Sequence, residues 1–538
     1  MPGLRSKRVL VVGGGSAGWT VAAYLNSVLN SRDRKVAEIS LVESPDIPRI
    51  GVGEATIPNI NHTLAAIGID EAEFLKAVDG TFKQSIRFVN WLDNAGEFYH
   101  HPFCRYSAGA GEDPGRLWLM SDRSVPFMDT VSAQPAVCEM GLAPKTLDNE
   151  SSGLSLAYAF HMDALKFASY LTSFATKRGV THHLDQVVDV ELHEDGNIAA
   201  VMTESGTRLE AELFVDCTGF AAQLIEKKLG IGFSDCAQWL LCDRAITINV
   251  PYEHYYPGNV RPYTTSTALS SGWVWDIPLQ TRRALGYVHS SAFISEDDAE
   301  RELRAFEGQH AESLSSRVVN FKVGRREQQW AANCVAVGLS GGFIEPLEST
   351  GLYLSQVAAE ALAEYFPFTD DMAPYAFRFN RVMANRFYEI LDFINMHYCI
   401  TRRTDTEFWR EIRRPERIND RLRAKLEYWR MKPPTAYDFE DQFFPGQPDI
   451  SLQSGGPTGD NRYPIDTGRL WNHHSYENVL YGMDFLRDES AAWFGTDRPR
   501  PGILKRVHTA VSQAPGKLPP HDVWLKRMVG MADFTGGQ

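Results

Sequence analysis

Three glycines near the N-terminus, Gly13, Gly15 and Gly18, have the spacing of a turn that binds a phosphate group. The apolar run 9–12 before them predicts a buried strand, and the pattern after them predicts a helix over 16–29. Such a helix directs its free N-terminal amides and the positive end of its dipole at the phosphate. The residues predicted to contact the ligand are Gly13, Gly15, Ser16, Ala17 and Gly18.

A second predicted strand, 37–42, ends at Glu43. A carboxylate at this distance from the glycine turn is placed to accept hydrogen bonds from a ribose. Strand, turn, helix, strand and acid in this order predict a dinucleotide-binding fold; a glycine turn that only packs a helix on a strand is the alternative. The loop 44–56 that follows has two prolines and two close glycines, which predicts irregular backbone near a ligand.

Lys83 lies in the segment 81–91, which alternates like a β-strand. The alternation puts Lys83 on the face opposite to Phe82. From spacing alone, Lys83 is therefore expected to be a solvent-exposed lysine.

His100 and His101 form a tandem pair of potential metal ligands within the turn-rich segment 93–150. No further histidine, aspartate or glutamate lies nearby in sequence at the spacing that zinc sites use, so we predict no metal site. The pair is instead interpreted as part of the wall of a ligand pocket or as plain surface.

Trp273 and Trp275 lie two residues apart in the predicted strand 272–278, so their indole rings face the same side. Core packing is one interpretation of this pair. The twelve tryptophans of the chain also suggest an aromatic-lined pocket as a second interpretation.

Ser349, Thr350 and Gly351 precede a predicted helix that ends at 366. The free amides of a helix N-terminus can hold an anion, which makes this a candidate anion site. Glu348 stands beside it and, taken alone, is interpreted as a capping acid.

Asp216 ends another buried strand, where backbone and carboxylate reach the ligand-binding edge of an open sheet.

The chain has 538 residues, 43% of them hydrophobic and 23% charged, with a net charge of −14. The length predicts two or more domains, or one large enzyme with insertions, and the composition is that of an ordinary globular protein. The acidic balance argues against nucleic-acid binding. No apolar run approaches the roughly 20 residues that cross a membrane. The seven cysteines include no Cys-x-x-Cys pair, which predicts reduced thiols and a cytoplasmic location.

Four motifs together resemble those of the flavin-dependent halogenases of the tryptophan halogenase group. They are Gly13-x-Gly15-x-x-Gly18, Gly51-Val52-Gly53-Glu54-Ala55-Thr56, Trp273-x-Trp275-x-Ile277-Pro278 and Phe343-x-x-Pro346-x-x-Ser349-x-Gly351. The third is the signature of the family. The resemblance covers residues 7–400 well and the remainder loosely.

The resemblance implies an α/β (α+β) fold. It has a Rossmann-type FAD-binding domain of the flavin monooxygenase kind, an antiparallel sheet over the cofactor and a mainly helical C-terminal substrate region. The predicted segments are 1–92, 151–235 and 331–366 for FAD, 93–150 for a cap that lines the substrate pocket, 236–330 for the antiparallel sheet, and 367–538 for the helical region with its loop 445–464.

The resemblance also implies roles that spacing left open. Lys83 and Glu348 fall on the catalytic lysine and glutamate of the family, and 349–351 falls on its halide site. The predicted cofactor contacts outside the glycine turn are Glu43, Arg49, Gly51, Val52, Gly53, Glu54, Ala55, Val187, Asp216, Gly338 and Leu352. The predicted passage between cofactor and substrate is lined by Ile50, Trp273, Trp275, Ile277 and Pro278.

The implied reaction uses reduced FAD (FADH2), O₂ and a halide, bromide or chloride, to make hypohalous acid. The acid travels inward to Lys83, where it is hydrogen-bonded or forms a haloamine, and it halogenates an aromatic ring whose proton Glu348 accepts. A second nucleotide fingerprint with sheet context is missing from the sequence, so a separate flavin reductase is the expected source of FADH2. The resemblance leaves monomer and homodimer open.

His101 and Phe103 fit positions that line the indole pocket of tryptophan-specific relatives, and Trp471 resembles another wall. Those relatives hold the charged ends of tryptophan with paired tyrosines and a glutamate shortly before this last tryptophan. The corresponding stretch here, 451–469, contains only Tyr463 and no glutamate. We therefore expect an indole-type substrate, free or substituted indole rather than tryptophan.

Two other functions stay open at this point. An aromatic hydroxylase on the same scaffold would need its substrate beside the flavin and would be indifferent to halide. A non-catalytic FAD-domain protein that binds a partner would not need Lys83 or Glu348.

Overall fold

The structure is a computed structural model that describes residues 6–31, 34–47, 49, 51–103, 114–148, 152–154, 156–439, 470–485 and 502–534. Its strands are β1 Lys7–Val12, β2 Ala37–Glu43, β3 Gly53–Ala55, β4 Thr81–Lys83, β5 Ser85–Val89, β6 Phe98–Pro102, β7 Ala159–Asp163, β8 Thr181–Leu184, β9 Val187–Leu192, β10 Ile198–Thr203, β11 Arg208–Glu210, β12 Leu213–Asp216, β13 Phe233–Asp235, β14 Arg244–Pro251, β15 Thr264–Ala268, β16 Gly272–Pro278, β17 Arg282–His289, β18 Ser316–Asn320, β19 Gly324–Arg326, β20 Trp330–Ala331, β21 Cys334–Ala336 and β22 Gly342–Phe343. Its α-helices are α1 Ser16–Leu29, α2 Asn59–Ile67, α3 Glu71–Ala77, α4 Pro114–Leu119, α5 Phe127–Val131, α6 Gln134–Glu139, α7 Ala164–Thr176, α8 Glu296–Glu307, α9 Gly351–Glu364, α10 Ala373–Cys399, α11 Glu407–Ile412, α12 Asp420–Trp429, α13 His473–Gly482, α14 Gly502–Lys517 and α15 His521–Val529.

A six-stranded, mostly parallel sheet with the order β20-β21-β12-β1-β2-β8 forms the nucleotide-binding part. The apolar run 9–12 is buried, and its alternation decides the packing. Val9 and Val11 face the cluster that includes helix α1, whereas Leu10 and Val12 face the meander β9–β10–β11. Because β1, β2 and β12 run parallel, the glycine turn and the ends of these strands meet at one edge of the sheet.

A seven-stranded sheet with the order β18-β14-β17-β16-β15-β5-β6 stands next to this part. Its strands pair antiparallel, except that β15 and β5 are parallel. The predicted strand with the two tryptophans is its member β16, in which Trp275 pairs with Gly286 and Trp273 with Val288. This arrangement confirms the predicted mixed α/β fold with a second, antiparallel layer.

The predicted single strand 81–91 is wrong, because the chain changes sheets at Gln84. The backbone N–H of Gln84 donates to the carbonyl of Pro262, and its side-chain amide donates to the carbonyl of Leu142. Strand β4 before this point pairs with β7 in a small sheet, and β5 after it joins the seven-stranded sheet. Lys83 at the end of β4 is 0% exposed, so the expectation of a solvent-exposed lysine is also wrong.

The C-terminal part is helical, as predicted, and returns to the neighbourhood of β4. Most of the second half of the long helix α10 is buried, and α15 begins beside the segment 141–143. There, the N–H of His521 donates to the carbonyl of Gly141. The predicted loop 445–464 lies outside the described residues. Within the described part of the chain, no helix is both long and apolar enough to span a membrane.

Candidate active site

A cavity of about 500 Å³ opens at the edge of the parallel sheet where the glycine turn lies. Its wall combines this turn with the ends of β2 and β12, the start of α9 and the ring of Trp275. The predicted cofactor and halide contacts that line it are Gly13, Gly15, Ser16, Ala17, Glu43, Arg49, Val52, Glu54, Val187, Gly338, Gly351 and Leu352.

The glycine turn has the shape that the diphosphate of FAD requires. Gly13 has a φ of +109°, and a Cβ there would lie 2.2 Å from the carbonyl oxygen of Cys217. An ideal Cβ on Gly15 would have no described atom within 4 Å, so this side of the turn is open. Helix α1 has no acidic residue in its first turn and no side-chain cap at its N-terminus. Free amides and a positive dipole end therefore face open space.

Glu43 is fixed where the ribose of a dinucleotide is expected. Both of its carboxylate oxygens lie 2.8 Å from the guanidinium of Arg49, and Trp19 Nε1 donates to it at 3.2 Å. His182 Nε2 lies 3.0 Å from the same carboxylate. A Cβ on Gly14 would lie 2.0 Å from Glu43 Oε2, so the acid lies directly over the turn. Together with the glycine turn, this pair gives a site that fits FAD.

Asp216 acts on the cavity indirectly, and its side chain, which is predicted to contact the cofactor, is not among those that line the cavity. Its buried carboxylate accepts the backbone N–H groups of Thr218, Leu224 and Ile225, each at 2.9 Å. These bonds hold the turn 217–219, which does line the cavity. The other predicted contacts that are not among the described residues lining the cavity are Gly18, Gly51, Gly53 and Ala55.

The amine of Lys83 is buried among groups from three segments. Lys83 Nζ lies 2.7 Å from Ser349 Oγ and 3.1 Å from the carbonyl oxygen of Thr56. It also stands 5.0 Å from the centroid of the Phe103 ring. Burial lowers the pKa of Lys83 to about 7, although the charge of Glu348 opposes this shift. A lysine with this pKa is partly neutral, and thus nucleophilic, at neutral pH.

Glu348 is buried between two histidines. His101 Nδ1 lies 3.0 Å from each of its carboxylate oxygens, and His397 Nε2 lies 3.0 Å from Oε1. Burial alone would raise the pKa of Glu348, but these histidines outweigh it and hold the pKa at about 2. Glu348 is therefore a carboxylate at every physiological pH. Its partners are the side chains of two histidines, which differs from the capping role that its position alone suggested.

The turn before α9 links the buried amine to the cavity. Ser349, which contacts Lys83, has a φ of +60°, a left-handed conformation that is uncommon outside glycine. Two residues later, Gly351 lines the cavity and begins the helix, whose first turn carries no acidic residue. Between them, Thr350 Oγ1 is buried and has no hydrogen-bond partner among the described residues. The turn thus presents amides and one hydroxyl that could hold an anion.

The two tryptophans of β16 are neighbours, and one of them, Trp275, reaches the cavity. Their ring centroids are 6.1 Å apart, and both side chains are nearly inaccessible to solvent. Trp275 lines the cavity and packs against Gly286, where a Cβ would lie 1.9 Å from its ring. Both interpretations of this pair therefore apply, because Trp273 belongs to the core and Trp275 also forms a wall. Ile277 and Pro278 continue the same strand, and Ile50 lies outside the described residues.

The predicted substrate walls meet next to Glu348. Trp471 stacks on Phe393 with centroids 4.2 Å apart and planes 11° apart. The ring of His101 lies 5.5 Å from the same phenylalanine. Phe103, two residues after His101, lies beside the amine of Lys83. The structure thus brings the predicted pocket residues and both predicted catalytic groups into one region.

Comparison with known proteins identifies the family of this chain. The sequence model described as tryptophan halogenase matches residues 8–495. The 7-chloro-L-tryptophan 6-halogenase KtzR of Kutzneria sp. (strain 744) is 35% identical over 550 aligned residues, with 97% of this chain and 100% of that protein covered. Tryptophan 7-halogenase RebH of Lentzea aerocolonigenes is 34% identical over 501 residues, with 89% of this chain and 90% of that protein covered. The chain belongs to the tryptophan halogenase family.

A solved structure agrees with this assignment. Tar14, a tryptophan C-6 flavin-dependent halogenase (chlorinase) from taromycin biosynthesis, has a TM-score of 0.86 at 32% identity, with 97% of this chain and 100% of that chain covered. These matches confirm the predicted family, the enzyme class and the FAD-binding fold of this tryptophan halogenase family member.

Sequence reasoning missed two groups of this halogenase site, His397 and Phe393. Both lie on α10, whose mixed charges favoured a solvated helix, yet residues 389–398 are all buried. His397 Nδ1 donates to the carbonyl of Phe393 at 2.8 Å, which turns its Nε2 toward Glu348. The mainly apolar segment 390–396, which Asp392 and Asn395 interrupt, was the available signal. Among the described residues, no group of three or more potential ligands could hold a metal ion.

Proposed function

We propose that this protein is an FADH2-dependent halogenase that uses O₂ and bromide or chloride to halogenate an indole-type aromatic. The observation that carries the proposal is the buried Lys83 amine, 2.7 Å from Ser349 on the turn whose next residues reach the cavity. A separate flavin reductase would supply FADH2. When bound, reduced FAD supplies the two electrons that reduce O₂ and allow halide to be oxidised to hypohalous acid.

The residues that would hold FAD are those of the glycine turn and the Glu43–Arg49 pair. The free amides of the turn would bind the diphosphate, and Glu43 would accept hydrogen bonds from the ribose. The halide would lie at the N-terminus of α9, held by the amides of Thr350 and Gly351, and Gly351 is a residue of the cavity wall. Because burial keeps bulk water out of this region, the amides there attract an anion more strongly than they would in solution.

Lys83 receives the halogen. A neutral amine attacks hypohalous acid at the halogen, so that an N–X bond forms, the O–X bond breaks, and water leaves with one amine proton. The N–X bond then breaks as the ring carbon takes the halogen, and the lysine nitrogen regains a proton. Ser349 and Thr56 fix the nitrogen, so the halogen is delivered from one point to one ring position.

Glu348 stabilises the ring that is being halogenated and accepts its proton. Attack on the halogen leaves a positively charged ring, which a buried carboxylate stabilises. This ring is a strong carbon acid, so even a carboxylate with a pKa near 2 can accept its proton. His101 and His397 hold the carboxylate in place from two sides.

The halogenation rate is expected to rise with pH through an apparent pKa of about 7. The reason is that only the neutral form of Lys83 forms the N–X bond, and burial sets its pKa near that value. The measurement is the initial rate of brominated indole formation across this range, with O₂-dependent oxidation of FADH2 followed in parallel. A rate that falls with rising pH would instead favour an ammonium that hydrogen-bonds hypohalous acid.

The substrate is proposed to be free or substituted indole. Trp471 stacks on Phe393, and His101 lies against the same ring, so that these side chains form an aromatic surface of the kind on which a flat indole ring packs. The stretch 451–469, which lies outside the described residues, lacks the paired tyrosines and glutamate with which tryptophan-specific relatives hold an amino acid.

A substrate panel with reductase, FAD and bromide tests this proposal by mass spectrometry of the products. We expect kcat/KM for indole or a substituted indole to exceed that for L-tryptophan by at least about tenfold, the effect of one missing charge contact. L-tryptophan as the preferred substrate would contradict the proposed substrate class, and product without halide would point to an aromatic hydroxylase.

A further inference from the structure

The C-terminal helix α15 reaches the backbone next to Lys83. The N–H of Phe82 donates to Nε2 of His521 at 3.2 Å, and His521 Nδ1 lies 2.9 Å from the carbonyl oxygen of Val260. A carbonyl only accepts, so Nδ1 carries the proton and Nε2 is free to accept. Burial lowers the pKa of this histidine to about 4, which keeps it in the required neutral form.

Aromatic packing holds the same contact in place. The Phe82 ring meets that of Trp524, one turn along α15, with centroids 4.6 Å apart. Trp524 Nε1 donates to the carbonyl of Thr146 at 3.1 Å. The helix is therefore anchored on both sides of its contact with β4, and it has little freedom to move away from this strand.

The residue after Lys83 is tied to the same C-terminal segment. The side-chain amide of Gln84 donates to the carbonyl of Leu142 at 2.8 Å. Leu142 in turn forms an isolated antiparallel bridge with Pro520, the residue before His521. The backbone N–H before Lys83 and the side chain after it are thus both linked to the start of α15, which lies beyond the residues 8–495 that the family model matches.

We propose that His521 is a positioning residue for Lys83, because it fixes the peptide from which the amine reaches hypohalous acid. The inference rests on the proposed function. His521 touches neither cavity nor substrate walls among the contacts described, so its loss leaves the formation of hypohalous acid intact. Without the bond to Phe82, Lys83 Nζ no longer stays beside Ser349, and part of the oxidant escapes before it is used.

The test compares His521→Phe, which keeps a ring but removes the acceptor, with His521→Gln, which offers one acceptor and one donor. His508→Phe, on the exposed side of α14, is the matched control. Each variant receives FADH2, O₂, bromide and indole. Brominated indole is measured by mass spectrometry, and escaped oxidant by a water-soluble 1,3-diketone trap. FAD affinity and the melting temperature show whether each variant is folded.

We expect His521→Phe to lower brominated indole at least about tenfold and to raise trapped oxidant, with His521→Gln close to wild type and His508→Phe unchanged. If His521→Phe does not fold, His521→Asn decides, since its shorter side chain keeps the donor to Val260 and withdraws the acceptor from Phe82. A wild-type ratio of product to trapped oxidant, or a parallel fall in both, would overturn the inference. Absence of product from the wild-type protein would instead refute the proposed function.

Discussion

Replacing Lys83 by alanine is expected to lower the rate of aromatic halogenation by at least about 1,000-fold, equivalent to about 4 kcal/mol in the barrier. The change removes the only group that we assign to receive the halogen. FAD affinity is expected to stay within about twofold of wild type, because Lys83 is not part of the cavity wall. Mass spectrometry of the indole product and fluorescence titration with FAD measure the two quantities.

Lys76→Ala is the matched control for this variant. Lys76 is exposed and lies seven residues before Lys83, on helix α3. Its loss should change neither quantity. Halogenation by Lys83→Ala at more than a tenth of the wild-type rate would show that hypohalous acid reaches the ring without the amine.

Changing Glu348 to glutamine is expected to lower halogenation by about 100-fold, while oxidant formation continues. Glutamine preserves the size of the side chain but removes the charge that the two histidines surround. The positively charged ring then lacks both an electrostatic partner and a proton acceptor. The measurement is the single-turnover rate of brominated indole formation, together with the oxidant that the 1,3-diketone trap collects.

Glu364→Gln provides the comparison, since Glu364 is exposed at the far end of α9. It should behave as wild type in both assays. If Glu348→Gln made product at the wild-type rate, Glu348 would have to be regarded as a residue that only holds the turn before α9.

The local parts of the fold could be predicted from the sequence. Helix α1 begins and ends at the predicted residues 16 and 29, because glycine spacing and apolar periodicity act within a few residues. Strand β16 likewise has its predicted bounds, 272–278. The meeting of the glycine turn with Glu43 follows from the parallel order of the strands.

The burial of Lys83 could not be predicted from alternation. Alternation assigns a residue to a face of a strand, but it does not say which segment covers that face. Lys83 is covered by Thr56 and Ser349, which lie 27 and 266 residues away along the chain. The predicted catalytic role of Lys83 comes from the resemblance to the family. The structure shows the burial that lowers the pKa of Lys83.

The partners of Glu348 could not be predicted from the sequence either. His101 is 247 residues away, and His397 lies on a helix whose charged residues favoured exposure. Neither histidine has a sequence spacing that points to Glu348. The contact between Phe82 and His521 spans 439 residues, so only the folded chain reveals it.

Competition between indole and a trap in solution tests the central claim most directly, which is that oxidant passes inside the protein from the cavity to Lys83. Wild-type protein is given FADH2, O₂, bromide and indole, with increasing amounts of the 1,3-diketone. We predict that the yield of brominated indole stays constant, because the oxidant never mixes with the solvent. A yield that falls in proportion to the trap, as it does for hypobromous acid added to the solution, would contradict the account.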